Sequence, residues 1–452
     1  MRRNRLYHEL LRPQFHFTAR EKWLNDPNGL VYYGGEYHLF FQRHAAGMTW
    51  GPMRWGHAVS PDLVHWRQLA DALLPEDERE HVWSGSAVVD WGNTSGLQHG
   101  REAPIIAFFT SLDPSPSSSR PAAQRIAFSG DRGRTWARLP GPPALPHIEG
   151  ANRDPRVLWH EPTQTWIMAL YLDRSDFALF GSRDMRSWEK LHDVRVPGAS
   201  ECPDFFELPM DDNPEKRMWT FWAADGRYLL GDFDGRRFTP SAGPFLAEQG
   251  PNGYAGQTWS DIPREDGRRI QVSWMRGGSY PYMPFNQQMS FPVALTLRDG
   301  PGGVRLCRAP VREIERLWRA TRTLEGRSVA AGGKLVPEVE GDLFDIDAVV
   351  RFGAGVESFT VRVHGNELRY LSARGAFSYL GREVTAPVLG GRCALRLLVD
   401  RTSLELFSDG GRTSASFCFL PSAWDVPLEI TAAGGEVHIE LLVVRELASA
   451  WP

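Results

Sequence analysis

The chain has 452 residues, of which 42% are hydrophobic and 23% are charged, and its formal net charge at pH 7 is −4. This length predicts two domains rather than one, and the slightly acidic balance argues against a nucleic-acid-binding protein. No run approaches the roughly 18 apolar residues of a membrane-spanning helix, so a membrane protein of that kind is not expected.

The N-terminal segment, MRRNRLYHELLRPQ, is positively charged but lacks the apolar stretch of a signal peptide. The chain as given is therefore expected in the cytoplasm, or outside the cell if a leader was removed. The cysteines Cys202, Cys307, Cys393 and Cys418 lie far apart without a CxxC pair, which argues against a zinc site or a disulfide framework. We expect no required metal or other cofactor, and the sequence leaves the oligomeric state open.

The first local signal is WLNDPNGL, residues 23–30. Asn and Asp bond back to their own backbone, Pro presets φ and Gly accepts a positive φ, so the segment is a strong turn sequence. Asp26 is then either an ordinary turn residue or a working carboxylate.

A repeat runs through the first 300 residues or so. Four β-favouring segments each continue through a Ser/Gly/Asp turn to a closing aromatic residue, namely Trp66, Trp136, Trp188 and Phe238. Five predicted hairpins interleave with them, over residues 28–42, 84–111, 153–172, 202–222 and 255–275. Five units of four strands, without any sustained helical period, predict an all-β chain whose residues 1–310 form a five-bladed β-propeller.

The pattern changes after residue 310. VREIERLW, residues 311–318, predicts a short amphipathic helix, so residues 311–324 are expected to be a connector. Alternating strands separated by Gly-rich turns then predict a β-sandwich over residues 325–452. This second domain contains no cluster of carboxylates in a turn context, so its expected role is structural.

Three of the predicted units begin with a carboxylate that stands one or two residues ahead of a proline: Asp26, Asp154 and Glu201. The innermost strands of a propeller line its central channel, so these three acids are expected to converge. Burying like charges together is unfavourable, because their repulsion raises at least one pKa. Such a group is therefore expected only where a site uses the charge. A sugar site would use it: one carboxylate attacks, another donates a proton and a third holds hydroxyl groups.

With these motifs in order, the whole chain resembles glycoside hydrolase family 32, the invertases, levanases and inulinases. The motifs that carry the resemblance are WLNDPNG (23–29), WSGSAVV (83–89), NRDPRVLW (152–159), ECPDFFEL (201–208), YAGQTWSD (254–261), QMSFP (288–292) and DRTSLELFSDGG (400–411). Each motif alone is weak, but all of them in this order form a specific signature.

The resemblance implies a retaining glycosidase that releases terminal β-D-fructofuranosyl units from levan, inulin-type fructan or sucrose. Asp26 would be the nucleophile, Glu201 the general acid/base and Asp154 the stabiliser of the transition state. In such enzymes the two working carboxyl groups lie about 5–5.5 Å apart.

The resemblance also implies a set of residues that hold the terminal fructose: Asn25, Gln42, Trp50, Trp83, Ser84 and Arg153. Read without the resemblance, these residues have ordinary structural explanations. Asn25 would form a turn, Gln42 would end a strand, the tryptophans would pack in the core and Arg153 would balance the charge of Asp154.

Two segments depart from the family pattern. RHAAG, residues 43–47, stands where an aromatic residue followed by Asn-Pro is usual, and Val293-Ala294 stands where Arg-Glu is common. Both are expected at the rim of the site, where they would affect linkage preference and leave the chemistry unchanged.

Three other functions stay open at this point. A fructosyltransferase would use the same residues and pass fructose to a sugar acceptor. A non-catalytic fructan-binding propeller would be favoured by loss of an acid, but all three acids are present. An inverting five-bladed glycosidase for arabinose or xylose polymers fits the quoted motifs less well.

Overall fold

The computed structural model describes residues 6–423 and 426–452. Within these ranges the regular elements are β-strands and short 3₁₀ helices, without an α-helix, so the prediction of an all-β chain is confirmed. The 3₁₀ helices span Glu161–Thr163, Arg312–Leu317, Ser372–Arg374, Leu389–Gly391 and Asp409–Gly411. None of the helices in the described part of the chain is long and apolar enough to cross a membrane.

The strands between residues 22 and 310 fall into five antiparallel units of four strands, each built in chain order, and one parallel pairing between Met210 and Leu297 joins units four and five into an eight-stranded sheet. Unit one comprises Lys22–Tyr33, Glu36–His44, Arg54–Ser60 and Arg67–Gln68, and unit two comprises His81–Val89, Ile105–Leu112, Ala123–Ser129 and Ala137–Arg138. Unit three comprises Arg153–His160, Thr165–Asp173, Asp176–Ser182 and Glu189–Arg195, and unit four comprises Asp204–Met210, Asn213–Trp222, Arg227–Phe233 and Phe238–Leu246. Unit five comprises Gly253–Thr258, Arg269–Met275, Val293–Arg298 and Arg305–Pro310.

All five predicted hairpins are present as paired strands. A further short strand, Phe285–Asn286, runs parallel to the first strand of unit one. The first strands contact one another in cyclic order, from unit one to unit five and back to unit one. The five units therefore share one central region.

The turn predicted for residues 25–29 is wrong, because Lys22–Tyr33 is one continuous strand. The turn-forming residues instead produce two bulges. Leu24 pairs with Arg43 and Pro27 with Phe41, and a second register shift follows between Asn28 and Val31, so this strand carries two extra residues. Gly29 has φ +55°, and a Cβ atom there would lie 2.8 Å from the rings of Phe40 and Trp55. The polar sequence is thus used to bend a strand.

The C-terminal part consists of two six-stranded sheets. One sheet contains, in spatial order, Trp318–Val329, Val437–Leu447, Phe344–Phe352, Arg392–Asp400, Ser403–Ser408 and Thr413–Cys418. The other contains Lys334–Leu335, Glu429–Ala433, Ser358–Val363, Asn366–Leu371, Ala376–Tyr379 and Arg382–Thr385. Apolar side chains from both sheets form one buried core cluster. Within the predicted connector, the helix spans Arg312–Leu317 and the strand Trp318–Val329 begins before residue 324.

A buried ionic group joins the N-terminal segment to the C-terminal sheets. The His16 imidazole lies 2.9 Å from Asp400 Oδ2 and 2.8 Å from Glu405 Oε2. Asp400 also accepts hydrogen bonds from the backbone N–H groups of Gln14, Phe15 and His16. We call His16, Asp400 and Glu405 the His16 cluster.

Candidate active site

A pocket of about 390 Å³ lies where the first strands of the units begin. All nine residues predicted from the sequence line it: Asp26, Asp154, Glu201, Asn25, Gln42, Trp50, Trp83, Ser84 and Arg153. Four more residues complete the lining, namely Ala151, Tyr254, Trp274 and Arg276. The structure thus brings together the whole predicted set, which spans some 180 positions of sequence.

Bulges at a common level of the first strands turn these side chains into the pocket. Units one, two, three and five each have a bulge with one extra residue at this level of the first strand, at 25–26, 83–84, 154–155 and 255–256. A bulge sets two residues against one of the neighbouring strand and redirects their side chains. Four separate strands therefore present polar groups to one small volume.

The backbone at two of the acids has an unusual conformation. Asp154, Glu201 and Cys202 have φ values of +63°, +61° and +39°. A following proline disfavours the right-handed helical region, and here Asp154 and Cys202 adopt left-handed instead of extended geometry. Each such residue costs about 1–3 kcal/mol. Hydrogen bonds hold the arrangement, because Asp154 N–H donates to Thr110 Oγ1 at 3.0 Å and Cys202 N–H donates to Asp154 Oδ2 at 3.0 Å.

The three acids share few partners. Ser84 Oγ donates to Asp26 Oδ2 at 2.7 Å. Arg153 lies 3.1 Å from Glu201 Oε1 through Nη2 and 3.7 Å from Asp154 Oδ2 through Nε. One guanidinium therefore balances two of the three carboxyl groups.

The Cys202 thiol occupies the space between the two aspartates. Its Sγ atom lies 3.7 Å from Asp26 Oδ2 and 3.5 Å from Asp154 Oδ2. Glu201 directly precedes Cys202 in the chain, so it lies at the same end of the pocket as the two aspartates. An S–H group is a weak donor, so it moderates the repulsion between the aspartates only slightly.

Burial makes the two aspartates weak acids. Burial raises the pKa of Asp154 to about 7, with attraction by Arg153 opposing the rise and repulsion by Asp26 and Glu201 adding to it. Burial also raises the pKa of Asp26, while hydrogen bonds from Ser84 and Asn25 lower it. Since close carboxyl groups titrate together, the pair of aspartates retains a proton near neutral pH.

Aromatic rings form one wall of the pocket. The rings of Trp50 and Trp83 meet edge to face at 6.2 Å, and the Arg153 guanidinium lies 5.9 Å from the Trp83 ring. Trp50 is 51% exposed at the mouth. Apolar ring faces of this kind suit the C–H faces of a sugar.

Two amide side chains are held in place by the protein. Trp23 Nε1 donates to Asn25 Oδ1 at 2.8 Å, and Gln42 Nε2 donates to the carbonyl oxygen of Val82 at 3.1 Å. The Asn25 side chain also hydrogen-bonds to Asp26, so this amide helps to position the acid. The pocket therefore combines fixed hydrogen-bonding groups, three acids and an aromatic wall.

Sequence reasoning missed four side chains that touch the site: Cys202, Tyr254, Trp274 and Arg276. Tyr254 begins the quoted motif YAGQTWSD and precedes a bulge like those of units one and two, which was the available signal. The Arg276 guanidinium lies 4.6 Å from the Tyr254 ring. The expectation that Val293 shapes the rim is wrong, because Val293 is fully buried and does not line the pocket.

The chain is similar to known proteins along most of its length. The protein-family model described as the glycosyl hydrolases family 32 N-terminal domain matches residues 16–310 of the sequence. A levanase of Bacillus subtilis (strain 168) is 35% identical over 98% of this chain and 72% of its own length. A levanase of Bacillus sp. (strain L7) is 31% identical, but this chain spans only 53% of its length.

A fungal enzyme is similar along nearly its whole length. An extracellular exo-inulinase of Aspergillus awamori is 27% identical over 98% of this chain and 96% of its own. The crystal structure of exo-inulinase from Aspergillus awamori superposes with a TM-score of 0.89 at 26% identity, covering 98% of this chain and all of the other. The chain therefore belongs to glycosyl hydrolase family 32.

Proposed function

We propose that the protein is a retaining exo-β-fructosidase that releases terminal β-D-fructofuranosyl units from fructans or sucrose. The observation that carries the proposal is the convergence of three carboxyl groups, one guanidinium and an aromatic wall in a pocket of about 390 Å³. A pocket of this size suits the end of a chain better than its middle. The similarity to levanases and exo-inulinases supports fructose as the bound sugar.

The proposal includes the architecture. The strands up to residue 310 form a five-bladed β-propeller, residues 311–317 form the connector, and the strands from Trp318 to Leu447 form the β-sandwich. The five four-stranded units with cyclic contacts between their first strands support the propeller. Two six-stranded sheets around one apolar core support the sandwich.

In the first step Asp26 attacks the anomeric carbon of the terminal fructose. The C–O bond to the carboxylate forms as the glycosidic C–O bond breaks, and Glu201 gives its proton to the leaving oxygen. Ser84 orients the attacking carboxylate through its 2.7 Å hydrogen bond. The products of this step are a fructosyl-enzyme and the shortened chain or glucose.

In the second step water hydrolyses the fructosyl-enzyme. Glu201, now ionised, removes a proton from the water as its oxygen attacks the anomeric carbon, and Asp26 leaves as a carboxylate. The active site returns to its starting protonation, with net retention of configuration.

Asp154 and Arg153 bind the sugar while positive charge develops at its ring. Asp154 accepts hydrogen bonds from ring hydroxyl groups, and preorganised contacts of this kind stabilise a transition state more than a mobile solvent shell does. The left-handed backbone at Asp154 fixes the direction of its carboxyl group before substrate arrives.

Product analysis tests this proposal. Purified protein is incubated with sucrose, inulin and levan, and early products are separated by chromatography. Free fructose as the sole early product from the polymers is expected. Oligosaccharides of increasing length would indicate transfer, short oligosaccharides would indicate internal cleavage, and unchanged substrate in all three digests would overturn the proposal.

A further inference from the structure

A second and larger cavity lies at the other end of the first strands. Its volume is about 930 Å³. Residues near the C-terminal ends of the first strands contribute to its lining, whereas residues near their N-terminal ends line the first pocket. Asp26 and Tyr32 belong to the same strand, and six residues at about 3.3 Å each separate the two sites by about 20 Å. The proposed mechanism uses none of the residues of this cavity.

An exposed tryptophan is held rigidly at this cavity. Trp91 is 64% exposed, yet its Nε1 atom donates to Asp261 Oδ1 at 2.9 Å and its ring packs against Tyr33 at 5.4 Å. Asp261 is itself fixed by the backbone N–H of Val89, which donates to Oδ2 at 2.9 Å. A large apolar face is thus presented to solvent in one orientation, which lowers the entropy lost on binding.

A second indole lies at the same cavity in a similarly fixed position. Trp159 Nε1 donates to Glu161 Oε2 at 2.6 Å, and its ring lies 4.9 Å from that of Trp166. Trp166 is held in turn by Thr94 Oγ1 at 2.8 Å. Flat rings whose N–H groups are already bonded are platforms for the C–H faces of sugar rings.

The charges around the cavity balance. Four arginines line it together with the carboxylates of Glu161, Glu207 and Asp261, and a further carboxylate, Asp204, lies 2.8 Å from Arg156 Nε. Arg269 forms no ion pair within the described part of the chain, and its guanidinium donates only to the carbonyl oxygen of Trp259 at 3.5 Å. Donors and acceptors without net charge favour a neutral ligand rich in hydroxyl groups over an anion.

We propose that this cavity is a second saccharide-binding site, which takes an internal segment of a neutral oligosaccharide. Its occupant is a stretch of the fructan chain, an assignment that rests on the proposed function. Trp91 and Trp159 stack on the sugar rings, while Asp261 and Arg269 bind hydroxyl groups.

The site would act by holding the polymer. A chain bound at one site meets the other at a raised local concentration, which increases apparent affinity without altering the chemical step. Long fructans therefore benefit and sucrose does not, because sucrose cannot occupy both sites at once. The signature is a change in KM for polymer only.

Binding is measured by calorimetric titration with a fructan oligosaccharide in the Glu201→Gln background, which prevents hydrolysis. Two sites per chain are expected, and Trp91→Ala should weaken one of them about tenfold or more. Trp91→Phe keeps a ring and should retain most of the affinity. Leu246→Ala is the matched control, since this exposed residue lines neither pocket.

In the active enzyme, Trp91→Ala should raise KM for levan or inulin severalfold, with kcat and the kinetics on sucrose unchanged. One binding site in the Glu201→Gln protein, or equal affinities with and without Trp91, would overturn the inference and leave the proposed function standing. If fructan binding depends on Trp91 but the wild-type protein releases no fructose, the proposed function would be overturned instead.

Discussion

The candidate active site and the His16 cluster both bury carboxyl groups, but they differ in how the charge is balanced. In the pocket, Arg153 balances two of the three acids, and burial raises the pKa of Asp154 to about 7. In the His16 cluster, burial acts against the imidazolium, yet hydrogen bonds to Asp400 and Glu405 raise the pKa of His16 to about 9. Burial likewise opposes ionisation of Asp400, but its bonds to His16 and the backbone lower its pKa.

The difference shows what buried charge does in this molecule. In the His16 cluster both carboxylates bond the imidazolium and Asp400 also accepts backbone N–H groups, so removing His16 would leave them buried without their partner at a large cost in stability. In the pocket the acids repel one another and two of them share one guanidinium, which holds reactive protonation states at a cost in stability. The four predictions below test this division, from the largest expected effect to the smallest.

Replacing the proposed nucleophile should abolish turnover without weakening the fold. We expect Asp26→Ala to lower kcat about 10⁴-fold or more, because the covalent step is lost. Its melting temperature should equal or exceed that of the wild type, since one of three like charges is gone. Steady-state kinetics on sucrose and thermal unfolding measure both effects, and wild-type turnover would refute the assigned role.

The opposite outcome is expected in the His16 cluster. His16→Ala leaves two buried carboxylates without their cation, which should lower the free energy of unfolding by about 3–5 kcal/mol. Its kcat per folded molecule should stay near the wild-type value, because the cluster does not line the pocket. Urea denaturation and activity below the transition measure the two quantities. Lost activity in a fully stable variant would contradict this separation.

The same cluster should give the wild-type protein a pH-dependent stability. The pKa of His16 is about 9 in the folded protein and about 6.5 when unfolded. Its stabilising contribution is therefore complete below about pH 6.5 and is lost as the pH rises through 9, for a total of about 3 kcal/mol. Urea midpoints measured from pH 6 to pH 9.5 should fall, and His16→Gln should lack this component.

The smallest effect is expected at Cys202. Its thiol donates weakly to Asp26 and Asp154, so Cys202→Ala should raise the pKa of Asp26 and move the acid limb of kcat/KM to slightly higher pH. A weak S–H contact is worth less than about 1 kcal/mol, so kcat at the plateau should stay within about fivefold. Cys202→Ser restores a donor and serves as the control. An unchanged acid limb in the alanine variant would show that the thiol does not tune the acids.

Local sequence was sufficient to predict the three acids, whereas the six sugar-holding residues came from the family resemblance. Asp26 and Asp154 each precede a proline at the start of a repeated unit, and the repeat itself indicates that such positions lie together. The prediction that residues 25–29 form a turn was wrong, because a turn sequence and a bulged strand use the same residues. What local sequence could not show was that pairing with Glu36–His44 keeps this segment in a strand.

The amino-acid sequence was enough to predict the all-β class, the five hairpins and nine of the thirteen residues that line the pocket, since each depends on short-range pattern or on a motif that keeps its order. The tertiary structure alone decided that Cys202 lies between two aspartates and that His16 meets Asp400, 384 positions away. It alone also placed Trp91 against Asp261 at the far cavity. The physical reason is that burial and charge pairing arise between distant segments, and no local pattern records which of them the packing brings into contact.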